Sequence, residues 1–386
     1  MPGGSIEVVD ATDARDIRLR LRRDPGPDAL AIGYYYFRAT GARGVARRFR
    51  ILDVRADAAG RLEGREDYED GWTGTGPHVS VDRVHWTRVA GRIEGNDYVF
   101  EHTPDAEACY YARWAHYGVE REYDAVSSAQ RAGATLDVLG RTVQGRELQR
   151  LTWTSPAAGG RPPAQRFQCW IIARQHPSET MAAYFVEGLL ARLADGGDAV
   201  VRRLLADAVF HVVPNMNPDG AALGHTRANA AGMNLNRAWV DPSMDISPEV
   251  FLVRQAMERS GVDFAMDCHG DEELRCNFLG GPLEIPSRNA WLADLFSRFE
   301  HAWNAVTPEY ELGHPYPGGP PETADLRMAW NWIAERFGCL SVLLEQPFKD
   351  TSWRQEPTTG WSPERALRFG ASLPDALAQV LDRLRR

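Results

Sequence analysis

The sequence predicts an α/β fold preceded by a small all-β sandwich, and three observations support this prediction. Short candidate strands separated by frequent turns fill residues 6 to about 120, where few windows could form a helix. From about residue 123 onward, apolar runs alternate with segments of helical periodicity, which is typical of an α/β domain. Polar side chains follow several of these runs, and in α/β sheets such groups converge at the carboxyl ends of the strands.

The first region, taken as residues 1–122, has the periodicity of half-buried strands. Residues 17–22 alternate strictly between apolar residues and arginine, and residues 31–37 and 48–54 are further candidate strands. Turn sequences such as Gly95-Asn96-Asp97 interrupt the region at short intervals. Short strands with frequent turns favour a β-sandwich.

The second region, taken as residues 123–386, contains strands that alternate with helices. Five apolar runs are candidates for buried strands, at residues 148–152, 167–173, 208–213, 262–266 and 339–344. Helices are expected at residues 180–194, 199–206, 248–259, 287–304, 324–337 and 373–385. If the strands are parallel, the polar groups at their ends lie together at one edge of the sheet.

Composition and charge restrict the class of protein. The chain has 386 residues, of which 44% are apolar and 25% charged, and this indicates a globular protein with a large core. A formal net charge of −9 argues against nucleic acid as a partner. The five cysteines include no Cys-x-x-Cys pair, and there is neither a signal peptide nor a run of ~18 apolar residues. We therefore expect a cytoplasmic protein without membrane contact.

Three side chains have the types and spacing of metal ligands. His176 and Glu179 lie three residues apart on the predicted connection from a strand to a helix, and Zn²⁺ accepts this combination of nitrogen and oxygen ligands. His269 follows another buried run and supplies a third ligand. Cys268 is a rival ligand, but neighbours on a strand face opposite sides, so we expect it in the core. Three protein ligands leave one tetrahedral position open, as in catalytic sites, which predicts one Zn²⁺ per chain.

Further side chains could serve the hydrolysis of an amide, which needs a base, a cation and a group that binds the substrate. Glu345 closes the apolar run at 339–344, where an isolated carboxylate would be costly to bury, and it is the candidate base. Arg227 is the candidate cation for the developing oxyanion. Asn236 and Arg237 would bind the free α-carboxylate of a substrate, because a guanidinium matches a carboxylate at two points.

The same residues carry a resemblance to a known family. In chain order they are His176-Pro177-Ser178-Glu179, Asn217-Pro218-Asp219-Gly220, Arg227, Asn236-Arg237, His269 and Glu345. This set resembles the zinc metallocarboxypeptidase family, and its His-Pro-x-Glu and Asp-x-His-Gly forms resemble the cytosolic carboxypeptidase subfamily. The motifs cover roughly residues 123–350, the β-rich first region adds an architectural match, and the compact two-part chain looks like a bacterial member.

The resemblance implies a mixed sheet flanked by helices, one zinc ion, and release of C-terminal amino acids from peptides or proteins. In the eukaryotic branch of the subfamily the released residues are glutamates, and an acidic preference here would need a basic group. Arg327, on the predicted helix at 324–337, is the candidate for that group. The family also has a tyrosine on a mobile loop upstream of the base, for which Tyr316 is the candidate.

Two alternative functions remain open on the sequence. A related branch of hydrolases uses the same ligands to deacylate small N-acyl amino acids. A zinc-containing protein that binds peptide ends without cutting them is the second alternative, although Glu345 would be expected to be lost from such a protein. The Asn-Pro-Asp-Gly motif, the Asn-Arg pair and the leading β-region favour the peptidase.

Overall fold

The computed structural model describes residues 1–26, 33–55, 70–155, 160–313 and 322–385. Its first part contains nine strands within these ranges. They are β1 (Ile6–Asp10), β2 (Ile17–Leu21), β3 (Tyr36–Thr40), β4 (Arg47–Ile51), β5 (His78–Ser80), β6 (Thr87–Arg88), β7 (Gly91–Glu94), β8 (Asp97–His102) and β9 (Ala108–Ala112). One sheet has the strand order β1-β2-β4-β8-β7, and the other has the order β3-β9-β5-β6.

These two sheets pack face to face around an aromatic core. Phe49 and Phe100 belong to the five-stranded sheet, and Phe37 and Tyr111 belong to the four-stranded sheet. The ring centroids of Phe37 and Phe49 are 5.5 Å apart, and those of Phe49 and Tyr111 are 4.9 Å apart. Aromatic side chains from both sheets therefore fill the space between them, and the predicted sandwich is confirmed.

The second part is built on a seven-stranded sheet flanked by helices. Its strands are β10 (Thr135–Arg141), β11 (Glu147–Trp153), β12 (Phe167–Ala173), β13 (Ala208–Val213), β14 (Phe264–Asp271), β15 (Phe278–Gly280) and β16 (Leu340–Pro347). Its helices are α1 (Val119–Arg131), α2 (Thr180–Leu193), α3 (Ala199–Asp207), α4 (Pro218–Leu223), α5 (Pro248–Ser260), α6 (Ala290–Val306), α7 (Ala329–Phe337) and α8 (Pro363–Val380). No helix among the described residues is long and apolar enough to cross a membrane.

Four central strands of the second sheet run parallel. The strand order is β10-β11-β13-β12-β14-β16-β15. β12 pairs in parallel with β13 and β14, and β14 pairs in parallel with β16. The outer strands β10, β11 and β15 pair antiparallel, so the sheet is mixed, as the resemblance implied. The carboxyl ends of the four parallel strands therefore meet at one edge of the sheet.

Helices cover both faces of this sheet. The larger apolar core includes residues of α1, α2, α3, α6 and α8, and the smaller core includes residues of α5 and α7 on the opposite face. Cys268 is fully buried in the larger core. Its placement confirms the expectation that Cys268 packs inside the protein.

Several predicted bounds differ from the structure. β14 and β16 continue to Asp271 and Pro347, so His269 and Glu345 lie within strands rather than after them, because the ladder between the two strands continues past both residues. α8 begins ten residues before the predicted start at 373 and contains Pro374 in its interior. The packing of α8 against its neighbours outweighs the local penalty of that proline.

Other differences concern the first region and its junction with the second. The predicted strand at 31–37 corresponds to β3, which begins at Tyr36, and residues 31 and 32 lie outside the described residues. α1 was not predicted, because among its apolar residues only Val126 and Ala129 are fully buried. The predicted boundary after residue 122 falls inside α1, and the division into 1–122 and 123–386 stays a prediction.

Candidate metal centre and active site

The loop between β12 and α2 carries the first two candidate metal ligands. It begins at Arg174, whose φ of 59° places a non-glycine residue in the left-handed region. The buried Arg174 side chain donates a hydrogen bond of 2.8 Å from Nη2 to the carbonyl oxygen of Pro177, which closes the turn. This strained turn brings His176 and Glu179 to the edge of the sheet, beside β14.

The three candidate ligands form one buried cluster. Nδ1 of His176 lies 2.6 Å from Oε1 of Glu179, and Nδ1 of His269 lies 2.7 Å from Oε2 of the same carboxylate. The two Nδ1 atoms are 3.1 Å apart. One ligand atom from each residue therefore lies within 4.8 Å of the others. Residues 93 positions apart in the chain converge here because their strands are neighbours in the sheet.

Polar groups behind the cluster fix the orientation of both imidazole rings. Nε2 of His176 lies 3.1 Å from Oδ1 of Asn234, and Nε2 of His269 lies 3.0 Å from Oδ2 of Asp267. Gln175 donates a further hydrogen bond of 2.8 Å from Nε2 to Oδ2 of Asp267. Because Nε2 of each ring faces these partners, Nδ1 of each ring faces the cluster, as it does in metal sites with oriented histidines.

Burial and mutual proximity shift the pKa values of all three ligands. Burial lowers the pKa of His176 to about 4, with a further contribution from the positive charge of Arg227. Burial alone would raise the pKa of Glu179, but the two imidazoles beside it hold this pKa well below its usual value. Burial opposes protonation of His269, but Asp267 and Glu179 together raise its pKa well above the usual value. A cation is thus favoured between these two carboxylates.

This donor set fits a zinc ion. Two imidazole nitrogens and a carboxylate oxygen are ligands that Zn²⁺ accepts, and ligands about 2.1 Å from a tetrahedral ion lie about 3.4 Å apart. The spacing of the Nδ1 atoms, 3.1 Å, is close to that value. An acidic partner on Nε2 of His269 is the arrangement that raises the basicity of a metal-bound imidazole. The cluster therefore has the chemistry of a catalytic metal site with three protein ligands.

Glu345 lies next to this cluster. It pairs in register with His269 across the parallel strands β14 and β16. Residues paired in this way point to the same face of a sheet, so the carboxylate and the imidazole share one side. Glu345 is 9% exposed, which leaves it buried at the rim of the site. The structure thus brings the candidate base and the candidate metal ligands together.

Arg227 also belongs to the site. The carbonyl oxygen of its neighbour Thr226 accepts a hydrogen bond of 2.8 Å from the hydroxyl of Ser178, so Arg227 lies beside the metal-binding loop. Among the described residues, this guanidinium has no hydrogen-bond partner. The backbone around Arg227 is held firmly, because Asp24 accepts hydrogen bonds from three consecutive amides of this segment.

Asn236 and Arg237 lie on the short 3₁₀ helix Leu235–Arg237. Oδ1 of Asn236 accepts a hydrogen bond of 2.9 Å from the amide of Ala329, and its Nδ2 lies 3.4 Å from Nε2 of His269. Asn236 therefore links the metal cluster to the start of α7. The Arg237 side chain is part-exposed, and its Nε lies 3.7 Å from Oδ2 of Asp325. Recognition of a substrate carboxylate by these two residues stays a prediction.

The placement of Arg327 corrects one expectation. Arg327 precedes α7, which begins at Ala329, because the Asp325 carboxylate binds both the amide and the guanidinium of Arg327 in a turn. The guanidinium is exposed and makes two contacts of 2.9 Å with Asp325. Tyr316 lies outside the described residues. The nearby Tyr310 is buried and donates a hydrogen bond to Glu300, which gives it a packing role.

The Asn-Pro-Asp-Gly motif has a structural explanation. Asn217 caps α4 by accepting a hydrogen bond from the Gly220 amide, and its Nδ2 donates to the carbonyl oxygen of Gln175 beside the metal loop. Asp219 accepts from Thr142 and forms an ion pair of 2.7 Å with Arg146 on the β10–β11 hairpin. The motif therefore ties the metal-binding loop to the neighbouring hairpin.

Sequence reasoning did not assign roles to Asn234, Asp267 or Asp24. Asp267 lies within a motif that carried the resemblance, two residues before His269, and Asn234 lies two residues before Asn236. Their positions next to candidate ligands were the available signal, because ring nitrogens of metal-binding histidines need partners. Asp24 lies in a turn of the first region and had no such signal.

Comparisons with known proteins agree with this fold. Residues 1–114 match a family model described as the cytosolic carboxypeptidase N-terminal domain, and residues 119–307 match the zinc carboxypeptidase model. A metallo-carboxypeptidase from Burkholderia cenocepacia has a similar structure, with a TM-score of 0.91 and 37% identity over 99% of this chain and 97% of that one.

Of two other relatives, one matches over nearly the full length of both chains and the other over less than half of each chain. A metallo-carboxypeptidase from Pseudomonas aeruginosa, solved in complex with (2-guanidinoethylmercapto)succinic acid, has a TM-score of 0.89 and 36% identity over 100% of this chain and 98% of that one. Human cytosolic carboxypeptidase 6 is 31% identical over 184 residues, which span 45% of this chain and 35% of the human protein. The present chain thus spans about a third of the human protein.

The fold, the His-Glu-His cluster and these matches define a two-part zinc carboxypeptidase. The chain belongs to the zinc carboxypeptidase family, in the branch that carries a cytosolic carboxypeptidase N-terminal domain. It is accordingly a metallocarboxypeptidase, an enzyme that hydrolyses peptide bonds.

Proposed function

We propose that this enzyme removes the last amino acid from peptides or proteins, with one zinc ion held by His176, Glu179 and His269. The observation that carries the proposal is the buried cluster of these three side chains, with Glu345 in register beside His269. When bound, the ion polarises the scissile carbonyl and makes water a stronger nucleophile. The remaining steps belong to side chains of the protein.

The side chains around the cluster have distinct roles in this proposal. Glu345 takes a proton from the attacking water and returns it to the leaving nitrogen, as general base and then general acid. The guanidinium of Arg227 stabilises the oxyanion that develops on the scissile carbonyl. Asn236 and Arg237 hold the α-carboxylate of the substrate, which restricts cleavage to the end of the chain.

We extend the proposal to substrates that end in an acidic residue, glutamate among them. Arg237 and Arg327 lie on either side of Asp325, so two guanidinium groups face one carboxylate next to the start of α7. In this proposal, the side-chain carboxylate of an acidic substrate replaces Asp325 as the ion-pair partner of Arg327. The ligand named in the Pseudomonas structure is a succinic acid derivative with two carboxyl groups, which supports binding of a dicarboxylate.

We also place the enzyme in the cytoplasm. All five cysteines are free and buried, which suits a reducing compartment. The names of the cytosolic relatives point the same way. The partner in this proposal is the C-terminus of a peptide or protein.

Substitution of the base tests the proposal. Glu345→Gln should lower kcat by about 10²- to 10⁴-fold, because the amide cannot accept a proton, while the zinc content stays near one per chain. The matched control is Glu258→Gln on α5, where the carboxylate is exposed and its ion-pair partner is Arg336. If Glu345→Gln retained wild-type turnover, Glu345 would not be the base.

A substrate panel separates the peptidase from the two alternatives. Peptides that differ only in their last residue and N-acetyl-aspartate are assayed with and without a chelator. Release of the last residue, sensitive to the chelator and fastest for Glu-ended peptides, is the expected result. Turnover of N-acetyl-aspartate alone would favour the deacylase, and binding of peptides without any turnover would favour the non-catalytic protein.

A further inference from the structure

Asp24, three residues after the end of strand β2 in the first region, contacts the Arg227 segment, residues 226–228. Oδ1 of Asp24 accepts a hydrogen bond of 2.8 Å from the amide of Thr226. Oδ2 accepts hydrogen bonds of 2.6 Å from the amide of Arg227 and 2.8 Å from the amide of Ala228. Asp24 is 5% exposed, so these bonds are shielded from water. More than 200 residues separate the donors from the acceptor in the chain. One carboxylate thus fixes three successive peptide units.

Thr226 connects this contact to the metal-binding loop. Its hydroxyl accepts hydrogen bonds from the amides of Gly33 and Tyr34, at 3.0 and 3.3 Å. Its carbonyl oxygen accepts from the hydroxyl of Ser178, at 2.8 Å. Ser178 lies between the two candidate ligands on the loop. Asp24, Gly33 and Tyr34 of the first region therefore contact Thr226, and Ser178 of the metal-binding loop contacts it as well.

Close backbone packing supports the same contact. Gly26 and Gly232 both have positive φ, at 92° and 81°, and they face each other across the junction. A Cβ on Gly26 would overlap the carbonyl oxygen of Gly232. Only glycine permits this approach, which packs the turn after Asp24 against the chain four residues beyond the Arg227 segment.

We propose that Asp24 is a positioning residue for Arg227, so that the first region completes the active site of the second. The inference rests on the proposed role of Arg227 in stabilising the oxyanion. Charge-assisted hydrogen bonds to successive amides hold the backbone of this segment, and the backbone determines where the guanidinium can reach. Without the carboxylate, three successive amides, two of them buried, would lose their acceptor and the segment would shift toward water. Small displacements of a catalytic group are enough to slow a reaction.

The first test is Asp24→Asn in the full-length, zinc-loaded enzyme. We expect kcat to fall by about tenfold to a hundredfold, with KM within about twofold and zinc content unchanged. Amide hydrogen exchange at residues 226–228 should accelerate, which reports on the segment independently of activity. The matched control is Asp13→Asn, an exposed aspartate of the same region whose acceptors serve only Arg15. Its kinetics and exchange should equal those of the wild type.

A double substitution decides whether Asp24 acts through Arg227. In an Arg227→Ala background, assayed with enzyme in excess over substrate, Asp24→Asn should reduce kcat by less than about twofold, because the group it positions is gone. If Asp24→Asn lowered kcat by the same factor in the wild-type and Arg227→Ala proteins, the inference would be overturned. An unchanged kcat for Asp24→Asn, or a loss of activity matched by a loss of zinc, would overturn it as well.

Failure of the proposed function gives a different pattern. If Arg227→Ala keeps full turnover, the role of Arg227 fails and the inference falls with it. If Arg227→Ala loses turnover while Asp24→Asn keeps it, only the inference fails. If Asp24→Asn does not fold, Thr226→Val takes its place in the same kinetic comparison. This substitution removes the hydroxyl that accepts hydrogen bonds from the amides of Gly33 and Tyr34. Thr226→Ser retains the hydroxyl and should restore kcat.

Discussion

Asp267 shows how single residues determine the properties of the candidate metal centre. Its carboxylate contacts Nε2 of His269 and accepts a hydrogen bond from Gln175. Gln175 in turn accepts from the indole of Trp239, so the acid is part of a buried polar chain. Asn234 has the corresponding place behind His176. These partners hold the Nδ1 atoms toward each other before an ion binds, which reduces the cost of forming the site.

We predict that Asp267→Asn lowers the affinity for zinc by about 10- to 100-fold. The amide has nearly the same shape but lacks the charge that makes the His269 imidazole a better ligand. Competition with a chromogenic chelator measures this affinity directly. The same substitution at Asp294, exposed on α6, provides the control. An Asp267→Asn protein that binds zinc as tightly as the wild type would show that Asp267 only fills space.

At the scale of secondary-structure elements, the crossing of α2 and α8 determines the position of the metal-binding loop. α2 follows Glu179 directly and is buried along most of its length. Two glycines allow the close approach of α8. A Cβ on Gly188 would overlap the carbonyl oxygen of Leu367, and a Cβ on Gly370 would overlap that of Phe185. The helices touch backbone to backbone, so neither contact can be relieved by a rotamer change.

The close contact between α2 and α8 can be tested by adding a methyl group at Gly188. Gly188→Ala should reduce the free energy of unfolding by about 1–3 kcal/mol, because a single methyl group forces the two helices apart. Urea unfolding followed by far-UV circular dichroism measures the change. Gly196→Ala is the control, since a Cβ on Gly196 would meet open space. Equal stability of the Gly188→Ala protein and the wild type would mean that the helices move apart at no cost.

At the scale of the whole molecule, a part-buried histidine at the junction of the two parts makes stability depend on pH. Nδ1 of His116 accepts a hydrogen bond of 2.9 Å from the hydroxyl of Tyr34, and the ring stacks on Tyr36 with centroids 3.8 Å apart. Burial lowers the pKa of His116 to about 3, and the charges of Arg174 and Arg83 lower it further. An unfolded histidine has a pKa of about 6.5, so the unfolded state binds more protons between these values.

Because the pKa of His116 is lowered in the folded protein, His116 makes the protein less stable in acid. The contribution of neutral His116 is fully present above pH 6.5 and is lost as the pH falls from about 6.5 toward 3, because protonation favours the unfolded chain. Its share of the slope is at most about 1.4 kcal/mol per pH unit. His116→Gln should therefore show a smaller loss of unfolding free energy between pH 7.5 and 5 than the wild type. His301→Gln controls for removal of an imidazole, and identical slopes for His116→Gln and wild type would contradict the prediction.

The accuracy of the sequence predictions followed the strength of the local signal. β12 and β13 have the predicted bounds, because each is a continuous apolar run that ends at a polar residue. α1 was missed, because its buried apolar face is small and it packs at a junction rather than in a core. The start of α8 was missed, because Pro374 and Gly370 read as breakers locally while their neighbours in the fold accommodate them.

The residue types at the candidate site, and the strands that carry them, could be predicted from the chain's local patterns. His176, Glu179, His269 and Glu345 could be named because few side chains bind zinc or transfer protons, and each follows or ends a buried run. The groups that orient and support them became visible only in the folded protein. Asn234 meets His176 across 58 residues and Asp24 meets the Arg227 segment across more than 200. Such contacts depend on how the strands and loops pack, and no local periodicity encodes them.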